Sequence, residues 1–312
     1  FLEAGDDANR LFEQYMEPAF VGFGYGINSG WYNTAKPHKL LGFDITGSVS
    51  IANIPTSAQS FFINDAEYSR LRVDPNGPVD GNGNLITSAP TFLGENLPAS
   101  EIPRLQFLDA NGDPTFSITS PTGLGLEEEI GLNAMPSAIF QVGVGLPKGT
   151  DLKIRFVPSI ETDDFEFDMI GFGIMHDIKQ WIPGIKALPF DLSGLVAFTN
   201  IETRAALDEP GQAVEFSTNA FTLQGVISKK LSILTVYAGA GYVSTSTDFS
   251  LLGTYELDDE SELVDPVALS YSDGGLRGNV GMRLKLFFLT LHGEYAIQRY
   301  NTLNLGVGIS IR

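Results

Sequence analysis

The stretch YNTLNLGVGISIR, residues 300–312, decides the fold class of this chain. It alternates apolar residues with small or polar ones, which is the period of a β-strand. The apolar members are Leu303, Leu305, Val307, Ile309 and Ile311. A strand at the end of a chain frays unless it is paired. We therefore expect this strand to have a neighbour on each side, as the closing strand of a barrel has.

The same alternation recurs upstream and predicts about ten strands. They lie near 40–53, 138–147, 151–161, 165–178, 189–201, 212–228, 231–248, 267–287, 289–299 and 302–311. The range is 8–14 strands, because residues 104–119 could form a further hairpin. Some joints are as short as "FF" (287–288), whereas those after the first, fifth and seventh strands are long and acidic. Short turns on one side and long loops on the other are typical of an antiparallel, all-β, transmembrane outer-membrane barrel.

Each strand has an apolar face and a polar face. In the strand near 289–299, Leu289 and Leu291 oppose His292 and Glu294. Lipid around the barrel would require the apolar face outside, whereas a soluble lipocalin-like barrel would reverse it. Clustered charges in the strands favour the membrane barrel. The predicted lumenal charge network contains Asp44, Lys153, Arg155, Asp191, Arg277, Arg283, Lys285, His292 and Glu294. It is interpreted as a structural ion-pair ladder or, alternatively, as a selectivity lining for an anionic or zwitterionic solute.

The N-terminal region, residues 1–37, is predicted to be a short helix followed by a plug-like segment. Residues 6–17 have a helical pattern that Asp6 can cap and Pro18 can end. Residues 19–36 combine glycines and aromatic residues without regular period, and such a backbone cannot face lipid. The predicted plug residues are Phe20, Phe23, Tyr25, Trp31 and Tyr32. The rest of the chain, 38–312, is predicted to be the barrel, with a long extracellular insertion at 55–134.

Composition limits the partners and the compartment. The chain has no Cys and a net charge of −19. Residues 55–134 carry a net charge of −8 and residues 247–266 carry −7, so most of the negative charge lies in two loops. Nucleic acid is an unsuitable partner for such surfaces. No window is apolar enough for a transmembrane helix. A chain beginning with Phe1 is consistent with a removed leader, so we expect export to the bacterial outer membrane.

Two loop segments place carboxylates and amides at alternate positions among glycines, a pattern that can bind Ca²⁺. The candidate ligands are Asp74, Asn76, Asp80 and Asn82, or Asp109, Asn111 and Asp113. The twelve-residue calcium loop is not completed by a Glu, and Asn-Gly and Asp-Gly are also ordinary turn residues. No other cofactor is predicted.

An enzymatic activity is not predicted. His292 and Glu294 share a face, but no G-x-S-x-G motif is present, and the three histidines are far apart in the sequence.

Four segments together resemble a known family. They are FGYGINSGWYNTAKPHKLLGFDIT (23–46), GTDLKIRFVPSIE (149–161), GFGIMHDIKQWIPG (171–184) and the closing strand. They are similar to an uncharacterised outer-membrane β-barrel family of Bacteroidota over the chain apart from residues 55–134. The resemblance implies no functional residues. A helix and a Gly-rich segment before a barrel also resemble, in architecture only, the hatch of long-chain fatty-acid transporters.

The predicted function is that of a non-enzymatic accessory or interaction subunit at the cell surface, with an occluded lumen. The long acidic loops would contact other outer-membrane or surface proteins. The barrel wall would contact outer-membrane lipids and lipopolysaccharide. The alternative is a narrow channel for passive uptake of small amphipathic or hydrophobic molecules.

Overall fold

Ten antiparallel strands close into a barrel, as predicted. The computed structural model describes residues 5–109, 111–162, 164–207, 209–256 and 262–311. The barrel strands are β1 (Phe43–Asn53), β2 (Ala134–Leu146), β3 (Thr150–Glu161), β4 (Phe165–Asp177), β5 (Asp191–Ala206), β6 (Ala213–Leu231), β7 (Leu234–Leu252), β8 (Val267–Leu286), β9 (Leu289–Ile297) and β10 (Thr302–Ile311). Every strand pairs with its neighbours in sequence, and β10 closes the barrel by pairing with β1.

The barrel wall has an apolar outer face and a polar inner face. In β1, Asp44 and Ser50 are buried, whereas Ile45 and Val49 are exposed. In β8 the outward-facing residues are predominantly apolar from Leu276 to Leu286. This length agrees with the roughly 9–11 residues that a strand needs to cross a bilayer. The distribution is that of a barrel surrounded by lipid, with polar groups confined to the lumen.

The two ends of the barrel differ. The short-turn end contains the turns 147–149, 232–233 and 287–288, together with the start of β1 and the end of β10. The longer connection 178–190, between the predicted strands near 165–178 and 189–201, is also at this end and contains a 3-10 turn, Lys179–Trp181. The opposite end, called the insertion end, contains the connections 54–133, 162–164, 207–212, 253–266 and 298–301.

The predicted loop after the fifth strand is shorter than expected, because β5 and β6 remain paired up to Ala206 and Ala213. In the connection after β7, Thr254–Glu256 and Glu262–Val264 form a small hairpin. Residues 257–261 of the predicted acidic loop 247–266 lie outside the described residues.

The insertion between β1 and β2 contains two small sheets. Ser60–Phe62 pairs with Ser88–Pro90, and Leu71–Val73, Arg104–Leu108 and Pro114–Thr119 form a three-stranded sheet. The predicted hairpin at 104–119 therefore exists, but it belongs to this sheet and not to the barrel wall. The 3-10 turns Thr56–Ala58 and Asp65–Glu67 and a short helix, α2 (Leu126–Ile130), complete the insertion.

The barrel wall is taller on one side. β6, β7 and β8 contain 19, 19 and 20 residues, whereas β9 and β10 contain 9 and 10. The outward residues of β8 beyond the apolar band are small or polar, as at Ser270 and Ser272. The tall side therefore extends beyond the apolar band at the insertion end.

The N-terminal helix is longer than predicted. It extends from Asp6 to Ile27 as α1, so the prediction that Pro18 ends it is wrong. Pro18 lacks the N–H that would bond to the carbonyl four residues earlier. The helix continues because residues 18–22 and 24–27 are buried. The free energy gained by burying them outweighs the loss of the hydrogen bond at Pro18. Asp6 is not a cap either, since Gly5 is the N-cap residue and makes no side-chain hydrogen bond.

α1 and the residues that follow it run along the barrel from one end to the other. The helix begins beside the insertion, where Asp7 accepts hydrogen bonds from backbone amides at 69–71. Residues 28–38, called the lumen segment, end at the short-turn end, where Lys36 lies 3.9 Å from Asp191 at the start of β5. The start of α1 and the start of β1 are therefore at opposite ends of the barrel.

Replacing Val280 by Arg should lower the free energy of unfolding by about 2–4 kcal/mol, because it places a charge in the middle of the lipid-facing band. The matched control is Ser272→Arg on the same face of β8, beyond the band, where we expect a change within about 0.5 kcal/mol. Urea unfolding in lipid vesicles measures both. Equal losses for the two variants would contradict the assignment of the lipid-facing band.

Candidate functional site

The C-terminal half of α1 is narrow enough to fit inside the barrel because it contains glycines that face opposite walls. A Cβ atom at Gly24 would overlap Thr245 of β7, and one at Gly26 would overlap Ser137 of β2. Each glycine costs a helix roughly 1 kcal/mol relative to alanine. The glycines therefore lower the intrinsic stability of the helix, and they allow it to lie close to strands on two sides of the lumen.

Arg155 of β3 holds the end of this helix. It is fully buried, and its two terminal nitrogens donate to the carbonyls of Ile27 and Ser29, both at 2.6 Å. Its Nε donates to Gln141 at 3.0 Å, and the guanidinium lies 3.6 Å from the ring centroid of Trp31. The last carbonyls of a helix have no intrahelical partner and carry partial negative charge. A guanidinium supplies several hydrogen-bond donors to these carbonyls, and its positive charge compensates their partial negative charge.

The lumen segment bonds to strands around the barrel. Thr222 of β6 donates to the Oδ1 of Asn28 at 2.7 Å, and the Tyr32 hydroxyl donates to Asn279 of β8 at 2.8 Å. Ser193 of β5 donates to the carbonyl of Ala35 at 2.6 Å. Together with the contacts of Arg155, these bonds tie the segment to β3, β5, β6 and β8.

A second ionic group lies in the middle of the lumen. Arg277 of β8 donates to Glu294 of β9 at 2.7 Å, and both side chains are almost completely buried. Arg277 also donates to the hydroxyl of Ser29 at 2.9 Å. A buried charge pair requires such additional hydrogen bonds to offset its desolvation. The pair therefore connects the wall to the lumen segment in the same way as Arg155 does.

A third group fixes the lumen segment at the short-turn end. The backbone N–H of His38 donates to Asp151 at 2.7 Å, and the Nδ1 of the same ring lies 3.0 Å from the other oxygen of Asp151. Asp44 lies 3.5 Å from the Nε2 of His38 and 4.0 Å from the Nζ of Lys153. His38, Asp44 and Asp151 are all buried. We call these three residues and Lys153 the lower latch.

The remaining predicted lumenal charges lie at several places on the inner wall and at its rim. Asp191 faces Lys36 at the rim, and Lys285 donates to the backbone carbonyl of Ser310 at 2.8 Å. Arg283 is directly opposite His292 in the pairing of β8 with β9. Several of the nine predicted residues therefore contact residues 27–38, and their role as an ion-pair ladder or as a selectivity lining stays a prediction.

The predicted plug aromatics all contact inward-facing groups. Phe20 and Phe23 contact Phe216 of β6, with ring centroids 5.6 Å apart in both cases. Tyr25 lies beside Tyr300 at 6.4 Å. Trp31 stacks on Arg155, and Tyr32 meets Tyr237 of β7 at 5.8 Å. The first three belong to α1, so they are helical residues and not part of an irregular segment.

The insertion is attached to the first half of α1. The carboxylate of Asp7 accepts from the backbone amides of Ser69 at 2.9 Å, Arg70 at 2.5 Å and Leu71 at 2.9 Å. Leu11 packs in the core of the insertion, in a cluster with Ile63, Tyr68, Leu71, Ala89, Leu105 and Phe107. Burial raises the pKa of Tyr68 to about 12, and its hydroxyl donates to Gln14 of the helix at 2.7 Å.

The candidate calcium ligands form hydrogen-bonded turns. Asp80 accepts from the amides of Asn82 and Asn84, and Asp109 accepts from those of Asn111 and Asp113. These backbone bonds hold the pKa of both carboxyls below its ordinary value. Asp74 accepts from the amide of Asn76 in the same way, which lowers its pKa too. This is the geometry of Asx turns. Calcium binding stays a prediction.

His292 and Glu294 face the lumen on β9, as their alternation predicts. Neither ring nitrogen of His292 has a partner in hydrogen-bonding geometry. His176 lies elsewhere, between Thr150 at 2.8 Å and Trp181 at 2.8 Å. In the part of the chain that the structure describes, no group of three or more histidine or acidic side chains could hold a metal ion. None of the described helices is long and apolar enough to cross a membrane.

Sequence reasoning missed several residues of the site. Asp151 and Gln141 lie on the inward faces of β3 and β2, where strict alternation from Arg155 and from Ser137 would have identified them. Asp7 has no comparable signal, because its partners are backbone amides more than sixty residues away. The carbonyls of Ile27 and Ser29 were missed because the helix was predicted to end at residue 17.

The comparison with protein families identifies the chain. The model described as "Family of unknown function (DUF6588)" matches residues 1–311, so the chain belongs to this family. The expected resemblance to an uncharacterised family is confirmed. The match also includes residues 55–134, which the expected resemblance did not cover. Its occurrence in Bacteroidota stays a prediction. No curated protein matches the chain.

Several solved structures are similar in architecture at low identity. The attachment invasion locus protein Ail of Yersinia pestis has 8% identity and a TM-score of 0.30, covering 88% of this chain and 99% of that chain. The translocator domain of the autotransporter NalP from Neisseria meningitidis has 8% identity and a TM-score of 0.32, covering 99% of this chain and 98% of that chain. The OmpT loop-deletion mutant of Vibrio cholerae, an outer membrane protein, has 12% identity and a TM-score of 0.27, covering 85% and 75%.

Replacing Arg155 by Lys should lower the free energy of unfolding by about 2–3 kcal/mol, because a single ammonium cannot bond both carbonyls and stack on Trp31. The control is Arg204→Lys, which alters an exposed pair with Glu215 and should change stability by less than about 0.5 kcal/mol. Urea unfolding in vesicles measures both variants. An unchanged stability in Arg155→Lys would show that the helix end does not depend on this guanidinium.

Proposed function

We propose that this member of the DUF6588 family is an outer-membrane barrel that is closed by its own N-terminal region and serves as a non-enzymatic interaction subunit at the cell surface. The observation that carries the proposal is the occupied lumen. Arg155 and Asp151 of β3 and Arg277 of β8 all bond to residues 27–38. An open pore would require these buried groups to lose their partners.

The insertion supports the interaction role. It is a folded structure with its own apolar core, and α1 connects it to the lumen. Its charge is −8, and at least one large apolar side chain, Phe62, is 74% exposed on it. A folded, acidic projection on a closed barrel is better suited to contacting another protein than to conducting solutes.

The surface location predicts a labelling pattern. A cysteine introduced at Arg10, which is exposed beside the insertion, should react with a membrane-impermeant maleimide on intact cells. A cysteine at Lys148, in a turn at the short-turn end, should react only after the outer membrane is permeabilised. The chain has no cysteine of its own, so the background is low. The reverse pattern would place the insertion in the periplasm.

Co-purification from native membranes in mild detergent tests the interaction role. We expect a stoichiometric partner that is retained by the wild type and weakened by Phe62→Ser, which removes an exposed apolar side chain of the insertion. The matched control is Val264→Ser, which removes another exposed apolar side chain at the same end but outside the insertion. Recovery of the barrel alone under conditions that preserve other membrane complexes would argue against an interaction subunit.

A narrow channel remains the second candidate function, and one observation favours it. On the inner wall of β9 and β10, the ring nitrogens of His292, the Oε2 of Glu294 and the Oδ1 of Asn304 have no partner in hydrogen-bonding geometry. Buried polar groups of this kind are commonly satisfied by water. A hydrated strip beside the lumen segment would fit small polar solutes, which gives less support to the predicted hydrophobic ones.

Planar-bilayer recordings distinguish the two functions. The closed barrel should give no discrete conductance steps, and deletion of residues 1–37 should produce them. The variant Thr34→Cys/Ser228→Cys can fix the lumen segment by a disulfide, because the two wild-type hydroxyls are 3.3 Å apart. Steps from the full chain that persist after this pair is oxidised would support a channel beside the fixed segment. Silence of the full chain supports closure.

A further inference from the structure

The lysines of this chain are all at one end of the barrel. They are Lys36, Lys39, Lys148, Lys153, Lys179, Lys186, Lys229, Lys230 and Lys285. All lie in the connections of the short-turn end or in the strand segments next to it. The acidic residues there are Asp44 and Asp151, which are buried in the lower latch, and Asp177 and Asp191. The short-turn end is therefore positively charged, although the net charge of the chain is −19.

The same end exposes large apolar side chains at the tips of its connections. They are Leu40, Leu41, Trp181, Ile233, Phe287 and Phe288, and we call them the rim tips. Phe287 is 95% exposed and Leu41 is 76% exposed. Turn tips in water are usually polar or glycine. Six exposed apolar tips at one end therefore indicate that something other than water covers them.

Backbone hydrogen bonds show that most of the rim tips follow one another around the barrel. The amide of Lys285 donates to the carbonyl of Ile233, and the amide of Ser310 donates to the carbonyl of Phe288. The amide of Leu41 donates to the carbonyl of Gly145, beside the turn at 147–149. Most of the rim tips thus lie on adjacent connections of the same end.

Two of the tips have a backbone conformation that bulky residues rarely adopt. Leu41 has a φ of 62° and Phe287 a φ of 56°, both in the left-handed region that favours glycine. A glycine would fit either turn with less strain. The backbone strain at Leu41 and Phe287 therefore lowers the stability of the fold, and burial of their side chains within the protein does not offset it.

The rim continues the lipid-facing surface directly. Phe287 is flanked by Leu286 and, two residues later, by Leu289, which face outward at the ends of β8 and β9. The tips therefore lie where the hydrocarbon of a bilayer meets its headgroups. Lysine side chains at this level can rest their stems on apolar groups while the ammonium reaches the headgroup phosphates.

We propose that the short-turn rim binds anionic phospholipids of the leaflet that surrounds it. The exposed lysines supply the charge that recognises the headgroup, whereas Lys153 is buried in the lower latch, and the rim tips insert beside the first carbons of the acyl chains. Lipid fits better than an acidic protein, because the tips adjoin the lipid-facing band without an intervening polar surface. The proposal depends on the barrel lying in a bilayer and is independent of whether the lumen is closed.

Trp181 provides a local probe for this binding. The chain has two tryptophans, and Trp31 is buried in the lumen whereas Trp181 is 64% exposed on the rim. The full chain is folded into vesicles of phosphatidylcholine and phosphatidylglycerol in fixed proportion. In one set the phosphatidylglycerol carries bromine near the headgroup end of its acyl chains, and in the other an equal mole fraction of phosphatidylcholine carries it. The variant Trp181→Phe retains only the fluorescence of Trp31. Subtracting its emission from that of the wild type gives the fluorescence of Trp181.

We expect the brominated anionic lipid to quench Trp181 about twofold more than the brominated neutral lipid, and high salt should reduce the difference. Lys148→Gln/Lys186→Gln, which removes two exposed charges at or near the connection that contains Trp181, should also reduce it. The matched control, Arg70→Gln/Arg204→Gln, removes two exposed charges at the insertion end and should preserve it.

Equal quenching by the two lipids would overturn the proposal. Absence of quenching by either lipid, with the barrel shown to be inserted by its protease resistance, would also overturn it. That result would place the rim tips outside the bilayer and assign the lysines to an acidic protein.

Discussion

The structure depends on the requirement that polar groups inside a closed barrel must have partners. α1 ends inside the lumen, so the carbonyls of its last turn are removed from water. Arg155 satisfies two carbonyls at that end, and the two terminal nitrogens of the same guanidinium would lose these acceptors if the helix were absent. The helix end and the barrel wall therefore stabilise each other. The polar wall, the glycines of the helix and the route of the lumen segment all follow from this mutual dependence.

α1 also connects the insertion with the lumen. Its first half packs in the insertion through Leu11 and Asp7, and its second half packs in the lumen through Tyr25 and Ile27. Pro18 lies at the junction of the two halves. One continuous helix therefore joins the insertion to the groups that occupy the lumen.

The ends of the barrel are chemically opposite. The insertion end carries the acidic loops, and its tall wall contributes Phe216 and Phe249 to the contacts of α1. The short-turn end carries the lysines and the rim tips. The two ends therefore present surfaces of opposite charge.

Much of the barrel could be predicted because each strand carries its own signal. Alternation in β1, β8 and β9 is a property of adjacent residues, and the two faces of a strand meet different surroundings whatever the other strands do. For the same reason, the turns around Asp80 and Asp109 are recognisable from a few residues. The charges of the inner wall could be identified individually, but their bonds to residues 27–38 could not.

The sequence by itself determined that this chain forms an antiparallel barrel of about ten strands, which residues of its best-defined strands share a face, and where its negative charge is concentrated. Only the tertiary structure decided that the helix passes Pro18, that Asp7 binds the insertion, and that Arg155 bonds to Ile27 and not to a carboxylate. These features depend on groups that are distant in sequence and become neighbours only when the barrel closes. A local sequence pattern indicates the conformation that a segment favours by itself. Inside the lumen, buried polar groups must be paired, and this requirement overrides the local conformational preference.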